Sequence, residues 1–302
     1  MEPLLHYTTA IVEGIKPFKD LVLGKALANY IGSSFKRFIE PYLLRHEALQ
    51  EAKTQQILVE KYPLERIEIT QELLKRHSDS IPDVAKDAFE NAMKIGNMAL
   101  GYINANSNTK EIPSQSYDKD WMNLFIDETQ YVSDENFQQV FARLLKEKIY
   151  NPVGVNKRVL NIMRNVDSSE LETIKMYISC FIDDFIPTDI MYKFDFGIEM
   201  MITLQNIGLV GFNNAPDAFH SIIKSFNIKE NDSCIKAKGY DFVFENIVMP
   251  FDLEFPVYFL TKEGQVIYNM LDVPMREDVV EMYKEILTSN SDGKANLKVR
   301  KL

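Results

Sequence analysis

The stretch from Val132 to Val166, VSDENFQQVFARLLKEKIYNPVGVNKRVLNIMRNV, constrains the fold more than any other because capping, helical period and turn chemistry agree along it. Ser133 is a good N-cap, and Asp134 and Glu135 follow where a helix N-terminus carries partial positive charge, so a helix is expected from Asp134. Phe137, Val140, Phe141, Leu144 and Leu145 fall at i, i+3, i+4, i+7 and i+8, one buried stripe of a 3.6-residue period. Glu135, Gln138, Gln139, Arg143, Lys146 and Lys148 are expected to face water. Asn151-Pro152-Val153-Gly154 ends the helix, since Pro152 has no N–H to give and Gly154 eases the turn. A second helix carries Val155, Val159, Ile162, Met163 and Val166 inward. Asp167-Ser168-Ser169-Glu170 reads as a capping box that launches a third helix, with Leu171, Ile174, Ile178, Phe181 and Ile182 on its inner face.

Charge and cysteine usage narrow the chemistry. The net charge is −10, and no long segment is basic; residues 188–302 hold 12 basic and 17 acidic side chains. A duplex is held largely by Lys and Arg on phosphates, so nucleic acid is not expected as the main ligand. Only Lys294 to Lys301 is locally cationic. The two cysteines, Cys180 and Cys234, do not suggest a disulfide framework, and Cys180 on an apolar face reads as a small core residue. The opening Met-Glu-Pro lacks the basic and apolar regions of a signal peptide, and a cytoplasmic protein is expected.

Along the chain, residues 1–43 read as amphipathic N-terminal helices. Ile11, Ile15, Phe18, Val22 and Ala26, then Ile31, Phe35, Phe38, Ile39 and Tyr42, recur at helical spacing, while lysines and Arg37 interrupt every apolar run short of a membrane span. These helices either pack on the rest of the protein or form an interaction surface, Lys16, Phe18, Lys19, Lys25, Phe35, Lys36, Arg37 and Phe38, for a partner or a peripheral membrane contact. Residues 44–103 are a long helical segment whose thin seam over 44–77 suggests self-association into a homo-oligomer. Polar residues 104–118 read as a linker, residues 119–187 as a central helical core domain with Asp120 capping the helix of Trp121, and 289–302 as a flexible basic tail.

Trp121 and Phe125, Val132-Ser133-Asp134-Glu135, Gln138, Phe141-Ala142-Arg143-Leu144-Leu145, Glu147, Pro152, Arg158 and Leu160 together resemble the central motif of a bacterial family called domain of unknown function 2806. Short motifs are also similar to the Abi-alpha proteins of phage abortive infection. The resemblance covers about residues 118–185 and, more loosely, 44–103 and 255–288. Phe141 stands where the family pattern has tryptophan, Lys146 interrupts an Ala-Gly step, and Val153-Gly154-Val155-Asn156 replaces a serine-rich turn. It implies a structural motif of Trp121, Ser133, Asp134, Phe141, Arg143 and Arg158, and no established activity.

After Pro187 the pattern changes. A helix containing Ile198, Met201, Ile202 and Ile207 ends at Gly208, Leu209–Phe212 is strand-like, and Tyr240–Val248 and Phe255–Leu260 read as strands. Thr261 caps the next helix, and Glu277–Leu287 is the last. This outline over 188–288 suggests a winged-helix-like α+β module, so the fold class is mainly α with one small α+β part. Its candidate recognition helices, Glu199–Gln205 and Glu263–Asn269, contain no basic residue, against what reading DNA requires.

No catalytic, metal or cofactor motif stands out. His6, His46, His77 and His220 are scattered, no phosphate loop, dinucleotide fingerprint or nucleophile elbow occurs, and Asp183-Asp184 is the single carboxylate pair beside an apolar element. The expected function is a non-enzymatic interaction or regulatory protein associated with phage defence. The alternatives are an enzyme with an unfamiliar site, which needs a pocket where Asp183, Asp184 or a histidine converges with other polar groups, and a winged-helix DNA-binding regulator.

Overall fold

The computed structural model describes residues 22–43, 78–105, 118–194, 197–211, 222–229 and 233–302. The expectations for Lys16, Phe18 and Lys19, for the seam over 44–77 and for most of the 104–118 linker lie outside them. The chain divides into two compact units, Met1–Leu160 and Asn161–Leu302. The described residues are mainly helical, with two small three-stranded antiparallel sheets.

The first unit holds α1 (Val22–Phe38), the short α2 (Glu40–Leu43), a 3-10 turn at Ser78–Ser80, α3 (Asp83–Ala105), α4 (Lys119–Thr129), α5 (Glu135–Tyr150) and the start of α6 (Lys157–Arg164). Ala85, Ala88, Ala92, Gly96 and Ala99 form a buried small-residue face on α3, which pairs extensively with α5. The core is aromatic: Trp121 stacks on Phe125 at 4.9 Å between centroids, and Phe125 meets Phe141 at 5.6 Å and Tyr30 edge-on at 5.7 Å. Tyr30 buries its hydroxyl by donating to the Ala92 carbonyl at 2.9 Å.

Both caps lie one or two residues from the expected positions. Asp134, not Ser133, caps α5, accepting from the Phe137 amide at 3.0 Å, and Asp118, not Asp120, caps α4 by accepting from Asp120 and Trp121 at 3.1 Å. In each case the carboxylate that reaches the third amide of the helix wins. The expected stripe of α5 is buried, but so are Gln138 and Lys148, which do not face water.

The second unit opens with α7 (Ser168–Ile178), where Asp167 and Glu170 form the expected capping box. The helix ends at Ile178, so Phe181 and Ile182 are buried beyond it rather than on its face. Then follow β1 (Phe185–Pro187), α8 (Thr188–Lys193), α9 (Gly197–Asn206), β2 (Ile222–Ile228), β3 (Ser233–Ala237), β4 (Tyr240–Glu245), β5 (Phe251–Phe259), α10 (Lys262–Leu271), α11 (Glu277–Ser291) and β6 (Asn296–Lys301). The first sheet has the order β1-β5-β2 and the second β3-β4-β6.

The second sheet buries Tyr240, Phe242 and Phe244 on one side, with Phe242 5.8 Å from Tyr283 of α11. Residues 289–302, read as a flexible basic tail, instead finish α11 and supply β6, with Phe242 opposite Val299 and Phe244 opposite Leu297. Leu297 and Val299 alternate with Asn296, Lys298 and Arg300, so one strand face goes inward while the charges stay in water. Thr261 caps α10 through the Gly264 amide at 2.9 Å, as expected, and its hydroxyl also donates to the Gly208 carbonyl at 2.8 Å. Gly264 is needed there, because a Cβ would collide with the Leu209 carbonyl.

Candidate functional site

Helix α9 is two-faced. Gly197, Met200, Met201, Leu204 and Gln205 are buried, whereas Ile198 and Ile202, one turn apart, are 59% and 45% exposed, and Tyr192 at the end of α8 is 68% exposed. Glu199 is exposed beside them, and α9 contains no lysine or arginine. The one cation of α8, Lys193, is engaged by Glu285 of α11 at 2.5 Å. Apolar side chains and a carboxylate therefore cover this face.

A second feature of the same unit is a cleft of about 330 Å³ bounded by β2, β3, the turn at Ile182–Phe185 and the end of α10. Phe185 and Phe226, 5.6 Å apart, form an aromatic wall, and three lysines, Lys224, Lys236 and Lys238, line the cleft with one carboxylate, Asp183. Lys224 alternates with Phe226 on β2, so both face the same way. Its ammonium lies 2.8 Å from Asp184 and 4.3 Å over the Phe185 ring. Lys238 donates to the Tyr268 carbonyl, lies 4.1 Å over the Tyr268 ring and is 3.8 Å from Asp272. Lys236 is exposed and stands opposite Asp241 of β4 in register.

Asp183 and Asp184, adjacent in sequence, do not act together. Asp183 has a left-handed backbone (φ 52°) and accepts from Gln265 at 3.2 Å, while Asp184 turns to Lys224. Among the described residues no three His, Cys, Asp or Glu side chains converge as metal ligands, and all four histidines lie outside the described residues. The cysteines differ in chemistry: Cys180 is buried, which pushes its thiol up to about 12, whereas Cys234 is exposed on the cleft wall. Burial also pushes the Tyr268 hydroxyl up to about 12. The cleft thus offers ammonium groups and an accessible thiol, while its aromatic floor of Phe185 and Phe226 lies under the Lys224 ammonium.

In the first unit the proposed N-terminal surface separates into two sets. Phe35 and Phe38 are buried, Phe35 edge-on to Phe89 at 6.0 Å, so these rings belong to the core and not to a surface. Lys36 and Arg37 are exposed, and Arg37 pairs with Asp127 at 2.8 Å beside a groove that Ser33, Asn123 and Ile126 also line. Lys25 lies within α1. Of the family-like residues, Trp121 and Phe141 are core, Ser133, Asp134 and Arg158 are exposed, and the Arg143 guanidinium lies 5.3 Å over the Tyr102 ring.

The sequence reading missed Lys148. Its ammonium donates to the Pro152 and Val155 carbonyls at 2.7 and 2.8 Å and sits 5.0 Å over the Trp121 ring, whose indole N–H donates to the Asn156 carbonyl at 3.3 Å. Burial lowers the Lys148 pKa, and Asp118 opposes that shift. Gln138, also missed, donates to Asn91 at 3.2 Å and the Val132 carbonyl at 2.9 Å. Both side chains hold loops in place and are structural rather than reactive.

No helix of the described residues is long and apolar enough to cross a membrane. Comparison with curated proteins and with solved structures gives no match. Residues 76–194 match the model of the family described as Protein of unknown function (DUF2806), in line with the resemblance carried by Trp121, Asp134 and Phe141.

Proposed function

We propose that the chain is a non-enzymatic regulatory protein that acts by protein–protein contact through a winged-helix-like module in its second unit. The element succession α7-β1-α8-α9-β2-β5, with sheet order β1-β5-β2, supports the winged-helix reading, with β3 and β4 inserted between the two wing strands. In that arrangement α9 takes the recognition-helix position. The observation that carries the proposal is the surface of this helix: Ile198 and Ile202 with Glu199, and no cation to neutralise phosphate. Solvent-facing isoleucines one turn apart suit an apolar protein surface better than a groove of DNA. The similarity to abortive-infection proteins favours a partner within phage defence, by analogy alone.

A photo-cross-linker at Ile202 in the native host should capture one defined protein, and Ile198→Glu should abolish that adduct without changing the thermal melt. Sequence-selective duplex binding at physiological salt would instead establish the DNA-binding alternative, provided Glu199→Gln or Ile202→Ala altered it.

A further inference from the structure

Among the described residues the edge strands are β1 and β2 of the first sheet and β3 and β6 of the second. An edge strand presents unpaired N–H and C=O groups to any other strand, and proteins blunt such edges by keeping them short or by placing charges, proline or a bulge on them. β1 is three residues long, β3 carries Lys236, and β6 carries Lys298, Arg300 and Lys301 within six residues. β2 has none of these devices. It runs for seven residues, Ile222 to Ile228, in unbroken register with β5 and without proline or glycine. Its single charge, Lys224, is held by Asp184 at 2.8 Å. Ile222 and Ile223 are 42% and 58% exposed, so apolar surface accompanies the open backbone. Among the described residues no backbone group of β2 bonds to anything but β5.

We propose that β2 pairs with β2 of a second copy of this chain, antiparallel about a two-fold axis at Ser225, which joins two β1-β5-β2 sheets into one. The register follows from alternation and charge. Ile222, Lys224, Phe226 and Ile228 share the sheet face of Phe251, Phe255 and Val257, while Ile223, Ser225 and Asn227 share the other with Asp252 and Glu254. Opposed residues of an antiparallel pair point the same way, so the axis passes through a residue and not between two. Centred on Lys224 it would set two ammonium groups against each other, and centred further along it would leave part of the strand without a counterpart. Centred on Ser225 it matches all seven residues. Ile222 then meets Ile228 of the second copy, Lys224 meets its Phe226, Ile223 meets its Asn227, and no like charges are opposed. The occupant is a second copy because the strand's own sequence supplies a complement at each position. A seam of this length covers less than a permanent interface needs, so the dimer is reversible and forms above about 10 µM.

The full-length protein should sediment with a weight-average mass that rises from one chain towards two between about 1 and 200 µM. Ser225→Lys should remove the rise, because it opposes two ammonium groups across the axis, while within one chain the new ammonium faces Glu254 and the thermal melt is kept. In a Cys234→Ser background the remaining native thiol, Cys180, is buried. There Ser225→Cys should give a disulfide-linked dimer under mild oxidation, since opposed Cβ atoms lie about 5 Å apart. Ile223→Cys alone and Asn227→Cys alone should not cross-link, and an equimolar mixture of the two should.

A mass that stays at one chain up to about 200 µM would overturn the proposal and leave the edge to a strand from a different protein. Association that survives Ser225→Lys, a Ser225→Cys chain that does not cross-link, or Ile223→Cys alone cross-linking as fast as Ser225→Cys would overturn it as well.

Discussion

Replacing Lys148 by methionine keeps most of the apolar stem and removes the ammonium that joins the end of α5 to the following turn. Two carbonyls lose their donor. That of Val155, a residue with no exposed surface, has no route to water and should cost about 1–3 kcal/mol. That of Pro152, a half-buried residue, can be rehydrated at about half that cost. The contact with the Trp121 ring at 5.0 Å adds about 1 kcal/mol. Relief of the buried charge, whose cost shows in the lowered pKa of Lys148, offsets part of this. The net expectation is a loss of about 2–4 kcal/mol for Lys148→Met, and about 2 kcal/mol more for Lys148→Ala, which also removes methylene packing. Trp121 is the single tryptophan and fully buried, so its emission during urea unfolding reports the first unit directly.

The pH dependence gives an independent check on Lys148. A base with a lowered folded pKa binds fewer protons folded than unfolded, so wild-type stability should rise as pH climbs from that folded value to 10.5. The rise should be absent from Lys148→Met. A Lys148→Met midpoint within about 0.5 kcal/mol of wild type would refute the reasoning, because it would mean the two carbonyls were never dependent on this donor.

Three further outcomes are expected. Above pH 9 the second unit should lose stability, because Cys180 and Tyr268, both raised to about 12, hold protons in the folded state that the unfolded chain releases from 9.0 and 10.0; Cys180→Ala should delay the onset towards pH 10 in alkaline melts followed by circular dichroism. Asp134→Ala should cost about 1 kcal/mol in the urea titration and Ser133→Ala nearly nothing, since the cap bond belongs to Asp134. Gly264→Ala should lower the stability of the second unit by about 2 kcal/mol or more, because its Cβ meets backbone at Leu209 rather than a side chain that can move; an unchanged melting temperature would contradict the close approach.

The fold was legible wherever one local signal dominated. The stripe of α5, the capping box of α7 and the Thr261 cap could be read directly, because each rests on residues within a few positions of one another. Strands β2 and β6 were not. IIKSFNI and NLKVRK place lysines or asparagine between their apolar residues, and what makes them strands is the partner: β5 for β2 and β4 for β6. Lys148 was misread because charge was allowed to outweigh position, although it lies four residues after Leu144 and seven after Phe141, on the buried stripe itself. The cleft was hidden for a different reason. Its lysines come from β2, β3 and the β3–β4 turn, and Asp183 from a turn some 40 residues earlier, so no sequence window contains the site.

The insertion of β3 and β4 between β2 and β5 affects how the second unit must fold. Helices α3 and α5 of the first unit are built from short-range turns, but β1 finds β5 only when Phe185 meets Phe259, and β2 meets β5 only across the chain between Ile228 and Phe251. Closing such loops costs entropy that grows slowly with length and must be met before any pairing energy returns. The β3–β4 pair, joined through Lys238-Gly239, shortens the effective distance once formed, acting as a clasp inside the longer loop. Loop-closure entropy therefore predicts an order of assembly of β3 with β4, then β2 with β5, then β1. On that order the cleft, whose walls come from β2, β3 and the turn before β1, is completed at the last of these steps.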